Sequence, residues 1–424
     1  MFAESQTPPS EVDQSRNPVG IASGAAYPPR PRVDYLRRFV PKATHADTTG
    51  FNTSIASPNL EALMLYLPRR ASLAFLCLPT VLVPIGACVD EPTAMRPADS
   101  QPVPEMATTG LGSWAARAPL PTAMDPGASS GVIRNSSGQD IMYVVGGVKN
   151  TAAFWPECLL LVYAYNATKN TWTRRADLLS KRCGPATAAV GGKLYSVGGQ
   201  NTNRTQTKTL YVYTPGSNTW SRKADMPFAH FGARAMAIGS DLYVVALDLD
   251  PDVAILRLYR YTPATNTWTR RTDVPLGQRA GAFAAGVING KIYLIRGQTP
   301  AVLMYDPKTN QWTAKPPIPE SDWKPYEPES NSLGTASVVV LNQKLYLIGG
   351  ARSVSEGTAY MKTTFAYDPL TNRLTRKADM GLGRAGAAVG KVKNASGVIQ
   401  VIATGGIYQD VEPRDTRVTQ AYTP

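Results

Sequence analysis

Histidine is almost missing from this chain, which has only His45 and His230. A zinc site or a Cys–His or Ser–His–Asp arrangement would have to use one of these two, and no such constellation can be assembled. Cysteine is scarce as well: Cys77, Cys88, Cys158 and Cys183 are too few to staple a small disulfide scaffold. Heptads and leucine-rich helical stretches are absent, which excludes a coiled coil or a helix bundle. No apolar run reaches the ~20 residues of a spanning helix. Acidic residues are outnumbered by basic ones, 31 to 44, leaving a net charge of +13. That excess attracts anionic partners. Aromatic and basic residues are nowhere interleaved on a nucleic-acid motif, so no nucleic-acid partner is expected. What the chain does have is 35 glycines, 35 prolines and 20 tyrosines, the composition of a turn-rich, all-β protein.

Two compositions divide the chain. Residues 1–63 show no sustained period and are read as disordered or as a start-site artefact upstream of Met64. Residues 64–88, "MLYLPRRASLAFLCLPTVLVPIGAC", run from basic Arg69 and Arg70 through an apolar stretch to the small residues before Cys88. That order is the order of an export signal. The end, "IGAC", resembles the lipobox of bacterial lipoproteins, which implies a lipid on Cys88 and a membrane-anchored chain outside the cytoplasm, in the periplasm or on the cell surface. Residues 89–111 are polar and proline-rich, a tether between membrane and domain.

From Val132 onward one unit recurs. Its second strands read "MYVVGG", "LYSVGG", "LYVVAL", "IYLIRG", "LYLIGG" and "QVIATGG", and their reference positions, from Gly147 to Gly406, are 48 to 56 residues apart. A Tyr-bearing strand follows, then a turn and a Trp strand, as in "YVYTPGSNTW". The turns place Pro215, Pro263, Pro307 or Pro369 where φ is fixed, and Asn170, Asn218, Asn266, Asn310 or Asn372 where the left-handed region is needed. Four short strands cannot bury both faces alone, so the units are expected to stack radially. The sixth unit ends at Pro424 without its Trp strand. Upstream, "GSWAARAPLP" matches "NTWTRRADLL", with Trp114 aligned to Trp172. Pairing Trp114's segment with Thr419–Tyr422 would close the ring and hide two sheet edges.

The glycine pairs, the tyrosine and the tryptophan spacing together resemble kelch repeats over residues 112–424. The resemblance implies an all-β fold, a six-bladed propeller closed by an N-terminal outer strand in the last blade. Copper radical oxidases, which some kelch propellers resemble, need more histidines than this chain has. No cofactor is expected and no metal site is assigned; "DLDPD", Asp248–Asp252, opens like a calcium loop but lacks the glycine and the closing glutamate.

In the connections that lead into each blade, the position two residues before a glycine holds Ser129, Arg182, His230, Arg279, Ser332 and Arg384. Radial symmetry predicts a ring of these at the channel mouth. The arginines could bind a carboxylate or sulfate there, or could instead hold loops through backbone carbonyls. Trp155, Trp323, Tyr326 and Tyr408 lie in longer loops assigned to the same face, where they could stack on sugar rings, anchor a protein or lid the loops. A second, peripheral ring of Arg117, Arg175, Lys223, Arg271, Lys315 and Lys377 is read as edge protection. Cys158 and Cys183 fall on one face and could form a disulfide in an exported protein. The expected function is a monomeric, lipid-anchored binding module for a glycan or protein, possibly anionic, and not an enzyme. The alternative is a mutarotase of the bacterial kelch kind, acting on an acidic, sialic-acid-like sugar. In that alternative the arginines would hold the carboxylate, and His230 or Glu327 would move protons.

Overall fold

The computed structural model describes residues 110–149, 157–249, 254–275, 282–297, 301–326, 332–354, 357–407 and 417–424. They all belong to the second of two compact units, 1–97 and 98–424. Cys88 and the segments 1–63 and 64–88 lie outside the described residues, as does all but the last two residues of the tether.

Six antiparallel sheets follow one another along the chain, each with a four-strand path. Blade 1 is Asp125–Arg134, Asp140–Lys149, Val162–Asn166 and Thr171–Arg174, with Glu157–Cys158 added beside its second strand. Blade 2 is Ala186–Val190, Lys193–Val197, Leu210–Thr214 and Thr219–Lys223. Blade 3 is Arg234–Ile238, Asp241–Leu249, Ala254–Thr262 and Thr267–Arg270. Blade 4 is Phe283–Ile288, Lys291–Arg296, Val302–Asp306 and Gln311–Ala314; blade 5 is Ser337–Leu341, Lys344–Ile348, Thr364–Asp368 and Arg373–Lys377. In blade 6, Ala388–Lys393, Ile399–Thr404 and Thr419–Thr423 are joined on the outside by Ser113–Arg117, with Trp114 opposite Tyr422. Each first strand lies against the first strand of the next blade, and that of blade 6 lies against that of blade 1.

Burial follows from this stacking. Second and third strands are covered on both faces by neighbouring sheets, so "VYAY" and "LYVY" are buried at every position. Outer strands are covered on one face only, and there the Trp is the residue turned inward. The core is six apolar layers, one between each pair of blades, for example Tyr195, Val212, Leu242 and Tyr261 between blades 2 and 3.

The repeated polar residues stitch these layers. Asn170, Asn218, Asn266, Asn310 and Asn372 have φ of 51, 53, 57, 60 and 54°, in the left-handed region that asparagine tolerates. In four blades the side-chain oxygen of this Asn accepts twice. It accepts from the tyrosine hydroxyl five residues earlier, as from Tyr213 to Asn218 at 2.7 Å, and from a backbone N–H of the preceding blade, as from Ala176 at 3.0 Å. The indole of the nearby Trp donates to the carbonyl of that same residue, Trp220 to Ala176 at 2.9 Å. The pattern repeats with Ala118, Ala224 and Thr272. Burial raises the pKa of Tyr165, and that of Tyr213 and Tyr261 to about 12, so these hydroxyls remain hydrogen-bond donors.

Blade 5 departs from the pattern for a covalent reason. The residue that would donate to the Asn is Pro316, which has no N–H, and Leu374 stands where the Trp would donate. Asn372 turns its amide to the carbonyls of Pro316 and Pro317 instead, at 3.1 and 3.2 Å. The carboxylate of Asp322 accepts from the Leu374 N–H at 3.0 Å and from Arg373.

Candidate functional site

One end of the propeller has short turns, such as Ile238–Asp241 and Ile288–Lys291. The other end, the loop face, carries the connections from second to third strands and from blade to blade. Blade 3 raises a hairpin there in which eight residue pairs, Leu242–Tyr261 to Leu249–Ala254, lie in register. In blade 5 a separate hairpin, Ala351–Val354 with Gly357–Tyr360, stands above the sheet, its base fixed by Thr335 through bonds to both polar groups of Ala351.

At this face the glycine pairs meet the residues that lead into the next blade. Gly146 and Gly147, with φ of 65 and 103°, turn the strand so that the Gly147 N–H reaches the Arg182 carbonyl at 3.0 Å. Gly199 donates likewise to His230 at 3.0 Å, and Gly350 to Arg384 at 2.9 Å. The N–H groups of Arg182, His230 and Arg384 return bonds to Leu159, Thr207 and Met361. In the blade 6 to blade 1 connection, Gly406 donates to Met124. Met124, and not Ser129, is therefore the counterpart of Arg182. The bulge between Asp125 and Ala128 displaces the register that sequence spacing implies. Ser129 is already within its strand, donating to Thr187 of blade 2.

The side chains of this ring do not converge on an open mouth. Arg384 is fully buried; its guanidinium donates to the carbonyls of Gly405 and Val418 and to Gln420. Arg182 is 6% exposed and donates to the Lys181 carbonyl and to Thr209, with its guanidinium 5.4 Å from the Tyr211 ring centre. Burial lowers its pKa. His230 is 0% exposed and packed against Phe228, and among the described residues neither ring nitrogen has a hydrogen-bond partner. Desolvation lowers its pKa to about 4, so the imidazole is neutral near pH 7. Of the two roles open to these arginines, the geometry is that of loop holding. Ser332 opens a one-turn helix, Ser332–Thr335, and Arg279 lies outside the described residues.

The loop aromatics divide similarly. Trp323 is 7% exposed and packs with Leu374, Phe365 and Ile318 between blades 4 and 5, in the layer where the outer-strand Trp has given way to Leu374. It is a core residue. Tyr326 is half-buried, with the Arg376 guanidinium 4.3 Å from its ring centre. Trp155, Tyr408 and Glu327 lie outside the described residues. In the peripheral ring, Arg271 donates to the Tyr305 hydroxyl and the Pro307 carbonyl, and Lys377 to the Gly110 carbonyl.

Cys158 and Cys183 form a disulfide, with Cα atoms 5.0 Å apart, that links the approach to the third strand of blade 1 to the entry of blade 2. Among the described residues, no three of His, Cys, Asp and Glu cluster as metal ligands.

A repeated ion pair escaped the spacing argument. Arg174–Asp177, Arg222–Asp225, Arg270–Asp273 and Arg376–Asp379 each close the exit of an outer strand. The signal was the recurring Arg-x-x-Asp. The axis holds a cavity of about 270 Å³ lined by Gly131, Ala237, Val339, Val389 and other small residues. Apart from Lys391 its lining side chains are apolar or absent, so side-chain recognition of a polar ligand depends on the residues at its mouth.

Comparison with known proteins agrees with this architecture. The Kelch motif model matches residues 181–227, 279–319 and 333–381, which span blades 2, 4 and 5. Among solved structures, that of YjhT is similar with a TM-score of 0.51 and 17% sequence identity, over 72% of this chain and 95% of that one. The chain is a six-bladed β-propeller, and three of its blades match the Kelch motif.

Proposed function

We propose that this propeller is a binding module whose loop face engages a glycan or a protein, and that a lipid on Cys88 holds it outside the cytoplasm. The observation that carries the reading is the asymmetry between the two ends: short turns on one, and raised hairpins from blades 3 and 5 on the other. A rigid scaffold that concentrates variable connections at one end is how folds of this kind present binding residues. Kelch propellers in general mediate protein interactions, and the net charge of +13 favours an anionic ligand.

The mutarotase alternative requires a proton-transferring group within hydrogen-bond reach of the sugar. His230 is enclosed and so cannot supply it, which leaves that reading with Glu327. Binding is the better-supported function.

Array binding by the full chain tests this, using one array of glycans and one of exported proteins. Tyr326→Ala or Arg352→Glu on the loop face should abolish the signal. Leu370→Asp should not, since Leu370 is 89% exposed in a turn at the opposite end. The reading fails if both arrays stay blank, or if Leu370→Asp alone removes binding. For the anchor, mass spectrometry of the mature chain should find acylated Cys88, and Cys88→Ala should release the protein from membranes; an unmodified Cys88 refutes the anchor.

A further inference from the structure

The segment His230–Arg234 leads into blade 3, and it carries Phe231 and Arg234 beside the buried His230. Phe231 is 43% exposed, an unusual position for a phenylalanine. Its ring lies over Gly184 of blade 2; a Cβ there would sit 2.3 Å from the ring, and Gly184 has φ of 59°. Gly184 in turn donates to the Gly127 carbonyl of blade 1 at 2.8 Å. Gly127, Gly184 and Phe231 thus follow one another around the rim of the axial channel, where side-chain-free backbone leaves the aromatic ring room.

Three residues on, Arg234 begins the first strand of blade 3. Paired positions show that its counterparts in the other blades are Ser129, Ala186, Ala284, Ser337 and Ala388. One arginine therefore stands in a ring of small residues at the mouth. Its guanidinium is 5.7 Å from the ring centre of Phe283 in blade 4 and makes one long bond, 3.4 Å, to the Ala233 carbonyl. Among the described residues no carboxylate is within ion-pair distance of it. Val245 lies opposite, and the neighbours in that layer are Leu256, Leu247 and Phe283. Among the described carboxylates of blade 3, Asp241 is paired with Arg260, Asp248 with Arg257, and Asp273 with Arg257 and Arg270. Burial lowers the pKa of Arg234.

We propose that Phe231 and Arg234 form a subsite for an acidic sugar residue, its carboxylate on the Arg234 guanidinium and its apolar ring face on Phe231. A planar guanidinium over an aromatic ring, with its donors unspent, suits bidentate capture of a carboxylate. An exposed aromatic on the same segment suits the C–H face of a pyranose. The adjoining cavity of about 270 Å³, which Ala235 and Met236 help to line, is of monosaccharide scale. The assignment rests on the loop face being the binding face, and it specifies which part of that face and which ligand chemistry.

Calorimetric titration of the full chain with glucuronate, galacturonate, glucose and galactose at matched ionic strength tests it. Glycans ending in uronic acid distinguish a free sugar from a chain terminus. The uronates should bind about tenfold more tightly than their neutral parents. Arg234→Ala should remove that preference, and Arg234→Lys should retain part of it. Phe231→Ala should weaken uronate and neutral sugar alike, and Phe231→Tyr should restore both; thermal melts confirm folding of each variant. Equal affinity for charged and neutral sugars, no binding by either uronate, or a preference surviving Arg234→Ala overturns the subsite. If array binding persists in the Phe231 and Arg234 variants but is lost in Tyr326→Ala or Arg352→Glu, the loop-face module stands and only this subsite falls.

Discussion

Blades 1, 2, 5 and 6 end their second strand on a glycine pair, whereas blades 3 and 4 have Ala246–Leu247 and Arg296–Gly297 there. In the first group the leading glycine has a φ of 61 to 66°, the strand turns sharply, and the next N–H reaches the residue entering the following blade. Ala246 and Arg296 are not in that left-handed region. Blade 3 instead continues its strand to Leu249, and in blade 4 the Gly297 N–H stays within its own sheet, bonded to Ala282. Where the pair is present, backbone at the mouth is tied to the neighbouring blade and the entering side chains are buried. In blade 3, where it is missing, the second and third strands run on as a raised hairpin, and the half-buried Arg234 lies in the adjoining layer. In blade 3 the departure from the glycine pair thus exchanges a structural stitch for a longer pair of strands.

The largest test of this contrast is Gly198→Ala. It forces a Cβ into positive φ and within 2.1 Å of the His230 ring, so a loss of about 3 kcal/mol or more is expected in denaturant unfolding. Ala246→Gly, the reverse change in blade 3, should cost about 1 kcal/mol or less; comparable losses at the two positions would break the comparison. Next in size is the disulfide at the first stitch. Cys158→Ser with Cys183→Ser, or reduction, should lower stability by about 2–4 kcal/mol, and no change in the melting temperature would contradict a bridge there.

His230 offers a pH test. Its folded pKa of about 4 is below the 6.5 of the free side chain, so the unfolded chain binds the proton first. Its contribution is complete above pH 6.5 and is lost as pH falls from there toward 4. Between pH 7.5 and 5 the native protein should lose about 2 kcal/mol from this group, and His230→Leu should flatten that slope. An unchanged slope would place the proton elsewhere. The smallest effect is expected at the outer rim: Asp225→Ala breaks an exposed pair with Arg222 and should leave the melting temperature unaltered.

Several of these features could be read before any coordinates. The asparagines assigned to left-handed turns are in that region, from Asn170 to Asn372, because turn chemistry is local. Inward packing of Trp172, Trp220 and Trp268 follows from one apolar residue on a polar strand. The carbonyl partners of those indoles were not legible, since Trp220 and Ala176 are 44 residues apart and meet only across a blade boundary. The mouth ring was misregistered at Ser129 because a bulge adds residues that spacing cannot assign. Trp323 was read as a loop aromatic and is a core residue, because Leu374 in another segment vacates the space it fills.

The sequence by itself determined the strand pattern, the turns and the repeat, with Trp114's segment as the fourth strand of a unit otherwise incomplete. All of these depend on short-range alternation and on residue conformational preference. Only the tertiary structure decided which cations at the loop face are consumed. Arg182 and Arg384 look like Arg234 in one dimension. They differ because the fold sets the Thr209 hydroxyl beside the first and the carbonyls of Gly405 and Val418 beside the second, while the third lies over Phe283 with one long bond to the Ala233 carbonyl.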